Sequence, residues 1–233
     1  MTSNDADAVK APESTSLTIE VGDRVGRVSA IFERPHTARA LFVLAHGAGA
    51  GMRHPFLQAV AEGLGECGLA TLRYQFPYME ARRPRPDPPG VLVATVRAAV
   101  RCAAELAPQL PLLAGGKSLG ARMTSTAQAL APLPGVRGLI FLGFPLHPPG
   151  RPDITRAAHL DAVSVPMLFL QGTRDDFAEL DLLQPVCSRL GARADLRLIA
   201  GADHSFGVLK RSGRTVADVL TELLDTIANW AGR

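Results

Sequence analysis

Cysteines, lysines, aromatic residues and long apolar runs are all scarce in this chain of 233 residues. Its three cysteines, Cys67, Cys102 and Cys187, are far apart and odd in number, which excludes a disulfide framework and zinc-ligand spacing. No apolar run reaches about eighteen residues, so we expect no membrane partner, and the acidic start of the sequence does not resemble a signal peptide. We therefore expect a cytoplasmic protein, with a disordered tail at 1–14 and one domain at 15–233.

The charge pattern argues against a nucleic-acid partner. The sequence has 25 basic and 22 acidic residues, which gives a net charge of only +3. The basic residues are spread along the chain rather than clustered, and aromatic residues make up 5% of it. A nucleic-acid footprint would instead show a basic stripe or patch.

Apolar runs alternate with helical patterns along most of the chain. Such alternation is typical of an α/β fold with a mostly parallel sheet that is flanked by helices on both faces. The patterns predict strands at 18–21, 27–32, 40–45, 69–74, 111–114, 136–142, 165–171 and 194–199, and helices at 54–64, 91–106, 122–130, 180–190 and 216–230. The proline-rich stretch 76–90 is predicted to be an irregular loop at the carboxyl edge of the sheet.

A G-x-S-x-G motif, centred on Ser118, lies between a predicted strand and a predicted helix. This context is typical of a nucleophile elbow, in which flanking glycines let a serine sit on a sharp turn. The alternative is a glycine-rich turn without chemistry. Lys117 lies inside the motif, but adjacent residues on a tight turn point apart, so we expect a structural or electrostatic role for it rather than a Ser-Lys pair.

A serine hydroxyl needs a base to take its proton, and the base needs an acid to orient it. Two residues follow later strands in the order that this architecture uses, Asp175 and then His204. Because both follow strand ends, we expect them to meet Ser118 at one edge of the sheet. The sequence therefore predicts Ser118, His204 and Asp175 as nucleophile, base and orienting acid.

Other titratable residues after the motif are weaker candidates. His147 lies between prolines after an earlier strand, and His159 falls in a helix-like stretch. Asp176 adjoins the favoured acid, so the choice between these two carboxylates stays open at this point. Asp203 adjoins His204 and is assigned to a turn.

The motif at 46–51, HGAGAG, follows a buried strand and is expected to supply an oxyanion-binding backbone. We predict Ala48 and Leu119 as the two N–H donors. A phosphate-binding glycine loop is the alternative, but the segment 53–55 intervenes before the next helix, which argues against it. No metal and no organic cofactor is expected. Substrate contacts are predicted from this motif and from the loops at 76–90 and 143–160, namely from His46, Gly47, Phe76, Tyr78, Arg83, Pro145 and His147.

Several segments together resemble a known family, the α/β-hydrolase superfamily and its dienelactone-hydrolase-like branch. More narrowly, the chain is similar to the group that contains the third subunit of the NSL histone-acetyltransferase complex and its testis-expressed and bacterial relatives. The segments that carry this resemblance are AHGAGAG (45–51), RYQFPYMEARRPRPDPP (73–89), AGGKSLGAR (114–122), GFPLHPPGRPD (143–153), LFLQGTRDDFA (168–178) and GADHSF (201–206).

The resemblance implies a hydrolase in which Ser118, Asp175 and His204 take the catalytic positions. The family commonly has proline where this chain has Asp176, so a second carboxylate stands beside the acid here. We expect a serine hydrolase that cleaves a small ester or thioester, without a large cap domain. The alternative is a binding or scaffold protein that has kept a hydrolase fold.

Overall fold

A central sheet of eight strands organises the chain in the computed structural model, which describes residues 13–232. The strands run in the order β1-β2-β4-β3-β5-β6-β7-β8, and all neighbours from β4 to β8 are parallel. Only β2 runs against its two neighbours. The strands are β1 (Glu13–Gly22), β2 (Gly26–Arg34), β3 (Ala40–Ala45), β4 (Leu69–Tyr74), β5 (Leu112–Lys117), β6 (Val136–Leu142), β7 (Met167–Gly172) and β8 (Ala194–Ile199).

Six α-helices within residues 13–232 cover the two faces of this sheet. Helices α1 and α6 pack on one face, and the side chains of the other four join the core on the opposite face. Their bounds are α1 (Pro55–Glu66), α2 (Pro77–Glu80), α3 (Pro89–Leu106), α4 (Leu119–Leu130), α5 (Leu180–Leu190) and α6 (Val216–Ala231). Together with the mostly parallel sheet, these two helical layers confirm the fold class that the alternating sequence pattern predicts.

The sequence of strand β3 is one continuous apolar run, and the structure shows why. All six of its residues are buried, because Leu41 and Val43 enter the core on one face while Phe42 and Leu44 enter the other. A strand covered on both faces loses the apolar–polar alternation of a half-exposed strand. Its neighbours β4 and β5 lie on opposite sides of it, so the chain reverses its direction of travel across the sheet at β3. Crevices at such reversals, at the carboxyl ends of strands, are where ligands bind in open α/β sheets.

Several predicted boundaries need correction. The segment 76–90 is not wholly irregular, because residues 77–80 form the single turn of α2 and α3 begins at Pro89. Helix α4 begins at Leu119, directly after the serine, rather than at residue 122. Strand β1 begins at Glu13, so residues 13 and 14 belong to the sheet rather than to the predicted tail; the rest of that predicted tail, residues 1–12, lies outside the described part of the chain.

The connection from β6 to β7 carries one 3₁₀ helix, Thr155–Ala162. Among residues 13–232, neither this connection nor any other forms a large cap over the sheet edge. No helix in the same part of the chain has the length and apolar character needed to cross a membrane.

Candidate active site

The turn between β5 and α4 holds Ser118 in a backbone conformation that non-glycine residues rarely adopt, with φ 50° and ψ −108°. Such strain persists only where the surrounding structure enforces it, and it concentrates at functional sites. The flanking glycines are required by the neighbouring strand. A Cβ on Gly116 would lie 2.2 Å from the Ala45 carbonyl oxygen, and one on Gly120 would lie 2.6 Å from the same atom. These distances are the physical reason for the G-x-S-x-G pattern in this chain.

Ser118, His204 and Asp175 form one hydrogen-bonded chain, although they are widely separated in sequence. The Nε2 atom of His204 lies 2.9 Å from Ser118 Oγ, and its Nδ1 atom lies 2.7 Å from Asp175 Oδ2. A carboxylate oxygen accepts hydrogen bonds, so Nδ1 carries the proton and Nε2 is left to accept one from the serine hydroxyl. An arrangement of this kind can pass a proton from the hydroxyl to the imidazole.

The Asp175 carboxylate is fully buried and held by further donors. Its Oδ2 also accepts a hydrogen bond from the Gln171 side-chain amide at 2.5 Å, and its Oδ1 accepts one from the Phe177 N–H at 2.8 Å. Asp176 is exposed to solvent. The structure therefore brings Asp175, rather than its neighbour, to the imidazole.

Two residues that fix this carboxylate and imidazole are absent from the sequence-based prediction. Gln171, the penultimate residue of β7, also accepts a hydrogen bond from the Phe144 N–H at 2.9 Å, which locks its amide orientation. The Phe177 ring stacks on the His204 imidazole with centroids 4.2 Å apart. Both residues lie close to Asp175 in the sequence, which was the one signal that could have pointed to them. That signal is weak, because the direction of each side chain decides whether it contacts the carboxylate or the imidazole.

The loop at 46–51 borders the cavity beside the serine and carries Ala48, the second predicted N–H donor. Within the described residues, no hydrogen bond takes up the N–H of Ala48 or of Leu119. Leu119 opens α4, where the first N–H groups of a helix are normally free. Neither N–H group is therefore taken up by the described part of the protein, and their role as oxyanion donors stays a prediction.

Three predicted substrate contacts instead brace this loop from behind. The His46 imidazole is fully buried and lies 2.7 Å from the Gly47 carbonyl oxygen through Nδ1, while its Nε2 accepts a hydrogen bond from the Phe76 N–H at 3.0 Å. The Tyr78 hydroxyl accepts a hydrogen bond from the Gly49 N–H at 3.2 Å. Burial lowers the pKa of His46 to about 4. The side chains of His46, Phe76 and Tyr78 are therefore supports of the loop, which corrects their expected role as substrate contacts.

Three more predicted contacts lie away from the serine. Arg83 forms an ion pair with Asp87 at 2.6 Å, and Pro145 is buried. The His147 ring lies 3.0 Å from the Pro148 carbonyl oxygen through Nδ1, and its Nε2 accepts a long hydrogen bond from the Glu179 N–H at 3.5 Å. None of Arg83, Pro145 and His147 lines the cavity at Ser118, because each is committed to its own loop or to the core.

The alternative base His159 pairs with a different serine. Its Nε2 atom lies 2.7 Å from Ser125 Oγ, on the side of α4 that meets the 3₁₀ helix. Burial and the positive charge of Arg122 lower the pKa of this imidazole to about 4. No carboxylate in the described residues accepts a hydrogen bond from His159. The Ser125–His159 pair therefore lacks a carboxylate partner, whereas the Ser118–His204 pair has Asp175.

A cavity of about 270 Å³ opens beside Ser118 and His204. Of the predicted substrate contacts, only Gly47 lines it. The first turn of α1 closes one side of the cavity, a contribution that the sequence pattern did not predict. Its lining residues are Gly47, Ala48, Ala50, His54, Phe56, Leu57, Lys117, Ser118, Phe177, His204 and Ser205.

A larger hollow of about 510 Å³ lies at the opposite edge of the sheet, beside Pro111, Pro166 and Trp230. None of Ser118, His204 and Asp175 lines this hollow. The candidate site is therefore identified by its reactive side chains and not by the volume of its cavity. In residues 13–232, no three His, Cys, Asp or Glu side chains come together in a way that could hold a metal ion.

Comparison with known proteins agrees with this fold. A family model described as an alpha/beta hydrolase domain matches residues 38–232. The chain therefore belongs to the alpha/beta hydrolase domain family. The narrower resemblance to the NSL-complex subunit and its relatives remains a prediction.

Solved structures of similar fold come from several bacteria. A dienelactone hydrolase from Anabaena variabilis is 23% identical, with a TM-score of 0.73 over 94% of this chain and 96% of that one. A lidless α/β serine hydrolase from Xanthomonas campestris is 20% identical, with a TM-score of 0.73 over 94% and 95%. Est1E from Butyrivibrio proteoclasticus is 18% identical, with a TM-score of 0.67 over 91% and 99%. At these identities the likeness establishes the fold alone.

Proposed function

We propose that this protein is a serine hydrolase that cleaves small carboxylic esters or thioesters through an acyl-enzyme. The observation that carries the proposal is the hydrogen-bonded chain from Ser118 Oγ through His204 to Asp175. Membership of the alpha/beta hydrolase domain family supports it. A scaffold protein would need neither these hydrogen bonds between Ser118, His204 and Asp175 nor the backbone strain at Ser118. The alternative of a non-catalytic binding protein is therefore less well supported.

In the proposed reaction, His204 Nε2 takes the proton of Ser118 as its oxygen attacks the substrate carbonyl carbon. The negative charge that develops on the carbonyl oxygen is bound by the N–H groups of Ala48 and Leu119. His204 then gives the proton to the leaving alcohol or thiol, and the acyl group stays on Ser118. A water molecule, activated by the same imidazole, releases the acid and restores the hydroxyl. Asp175 keeps Nδ1 protonated throughout.

The cavity indicates the size of the acyl group. Its volume of about 270 Å³ falls below the range of about 300–1,000 Å³ that is usual for drug-sized ligands. Phe56, Leu57 and Phe177 give it apolar walls. We infer that a short apolar acyl chain occupies this cavity, while the leaving group points to solvent.

We also infer a cytoplasmic location for the protein. Its three free cysteines agree with this location, since disulfides are rare in the cytoplasm.

The test is the hydrolysis of p-nitrophenyl acetate by the wild type and by Ser118→Ala. We expect kcat/KM to fall by about 10⁴-fold or more in this variant, because the nucleophile is removed. Ser125→Ala is the matched control, since it removes a serine that also pairs with a histidine at 2.7 Å. The control should keep the wild-type rate within about 3-fold. Equal rates in the wild type and Ser118→Ala would overturn the assignment.

A further inference from the structure

The side chain of Lys117, the last residue of β5, is buried behind Ser118 rather than exposed beside it. It is 9% exposed, and its Nζ atom has no hydrogen-bond partner within the described residues. Its place in the G-x-S-x-G motif predicts a structural or electrostatic role for this lysine. The structure shows an unpaired ammonium in the interior, which is a costly arrangement for a protein.

The Nζ atom of Lys117 lies close to the hydrogen bond between Asp175 and His204. All three groups lie around one point, the place where a Cβ on Gly143 would stand. That point is 3.0 Å from Lys117 Nζ, 3.4 Å from His204 Nδ1 and 3.5 Å from Asp175 Oδ2. The ring of Phe206 also lies near the ammonium, with its centroid 5.5 Å from Nζ.

Titratable groups lie near Lys117 on two loops. Asp175 comes from the loop after β7, and Asp203 and His204 come from the loop after β8. Gly47 and Gly143, which follow β3 and β6, also lie close to its side chain. The positive charge of Lys117 is therefore shared between two carboxylates without a direct hydrogen bond to either.

Stability does not explain a lysine at this position. Burial lowers the pKa of Lys117 to about 8, although the charges of Asp175 and Asp203 act to raise it. A methionine has nearly the same length and would fill the space without a charge to desolvate. A residue that costs stability and lies against reactive groups is typical of functional sites.

We propose that Lys117 is a positioning residue of the hydrolase, whose ammonium holds the Asp175 carboxylate where it accepts the hydrogen bond from His204. This inference rests on the proposed function. A fixed positive charge attracts a nearby carboxylate and restrains its position. The carboxylate in turn orients the imidazole through the hydrogen bond to Nδ1.

The first test is the hydrolysis of p-nitrophenyl acetate by the wild type and by Lys117→Met. We expect kcat to fall by about 10-fold in the variant with KM little changed, because the carboxylate that orients the imidazole is less well held. Lys210→Met is the control and should keep the wild-type kcat. An active Lys117→Met with the wild-type kcat would overturn the proposal.

A second measurement does not depend on the stability of that variant or on hydrolysis. The chain contains only three lysines, so ¹³C-lysine labelling gives three side-chain signals that can be followed by NMR. Lys10→Arg and Lys210→Arg identify the signal of Lys117 by elimination. In Asp175→Asn, the Lys117 signal should titrate about one pH unit lower than in the wild type, because its ammonium loses a carboxylate. An unchanged titration of Lys117 would contradict the proposal even if the hydrolase activity is real. A wild type that does not react with a fluorophosphonate would instead reject the proposed function.

Discussion

Asp175 and Asp176 differ completely in environment although they are neighbours in the chain. Asp175 is buried and accepts hydrogen bonds from His204, Gln171 and Phe177, whereas Asp176 is exposed. Position after a buried strand was enough to favour Asp175 from the sequence. The supporting roles of Gln171 and Phe177 could not be predicted, because they depend on the course of the turn after β7.

Side chains on loops were harder to assign from the sequence than those at strand ends. His46, Phe76 and Tyr78 lie in segments that flank the site, and this proximity suggested substrate contacts. In the structure they are buried and hold the 46–51 loop. Whether a loop side chain points into a cavity or beneath it is decided by tertiary packing, for which a single sequence gives no periodic signal.

Removal of the Tyr78 hydroxyl tests whether this loop must be held in place. In Tyr78→Phe the Gly49 N–H loses its acceptor, so the neighbouring N–H of Ala48 is less well positioned to bind an oxyanion. We expect kcat to fall by about 10-fold, less than the loss of an oxyanion donor itself, with KM little changed. Steady-state kinetics with p-nitrophenyl acetate measure both.

The chain offers a matched control for that experiment. Tyr74 is its other tyrosine, and the Tyr74 hydroxyl is buried without a hydrogen bond to the 46–51 loop. Tyr74→Phe should therefore keep the wild-type kcat. Equal rates in Tyr78→Phe and the wild type would show that the loop needs no such support.

At the scale of elements, the strand–turn–helix around Ser118 was the most predictable part of the molecule. Its signal is local, because the glycines, the preceding apolar run and the following helix adjoin one another. By contrast, α2 is a single turn of four residues, too short to show helical periodicity. Its Pro77 occupies the first helical turn, where proline is tolerated, although in a sequence it suggests a break.

The close approach of α4 to β3 makes a sharp prediction for Gly120. In Gly120→Ala the new Cβ would meet the Ala45 carbonyl oxygen at 2.6 Å, so helix and strand must move apart. We expect the free energy of unfolding to fall by about 3 kcal/mol. Urea unfolding, followed by circular dichroism, measures the change.

Gly90 provides the comparison for that substitution. It lies in the first turn of α3, and a Cβ there would have no atom within 4 Å. Gly90→Ala should leave stability unchanged or raise it by about 0.5–1 kcal/mol, since alanine favours the helix. Equal losses in both variants would contradict the proposed close contact between α4 and β3.

For the whole molecule, the sequence predicted the parallel sheet and the edge at which the three side chains meet. Loops that follow parallel strands share one edge, so the positions of Ser118, Asp175 and His204 after β5, β7 and β8 were sufficient. The order of the strands and the fit between the 46–51 loop and α2 were not predicted. Both depend on contacts between segments distant in sequence.

The folded chain keeps a histidine neutral in its interior, which makes its stability depend on pH. Burial lowers the pKa of His46 to about 4, below the ordinary value of about 6.5. The unfolded chain therefore binds more protons between these two values, and stability is lost as the pH falls through this window. We expect the free energy of unfolding to drop by about 2 kcal/mol between pH 7 and pH 4.5 through His46 alone.

Urea unfolding at the two pH values isolates this effect when variants are compared. His46→Gln should lose about 2 kcal/mol less than the wild type over this interval, while His36→Gln, which changes an exposed histidine, should behave as the wild type does. The same loss in His46→Gln as in the wild type would place the source of acid sensitivity elsewhere in the molecule.

The most direct measurement is to locate the adduct that a fluorophosphonate leaves on the wild-type protein, by intact mass and peptide mapping. The arrangement of Ser118, His204 and Asp175 predicts one adduct per chain, carried by Ser118 and absent after Asp175→Asn or His204→Ala over the same reaction time. A stable, folded wild type that takes no adduct, or that carries it on another serine, would contradict the account.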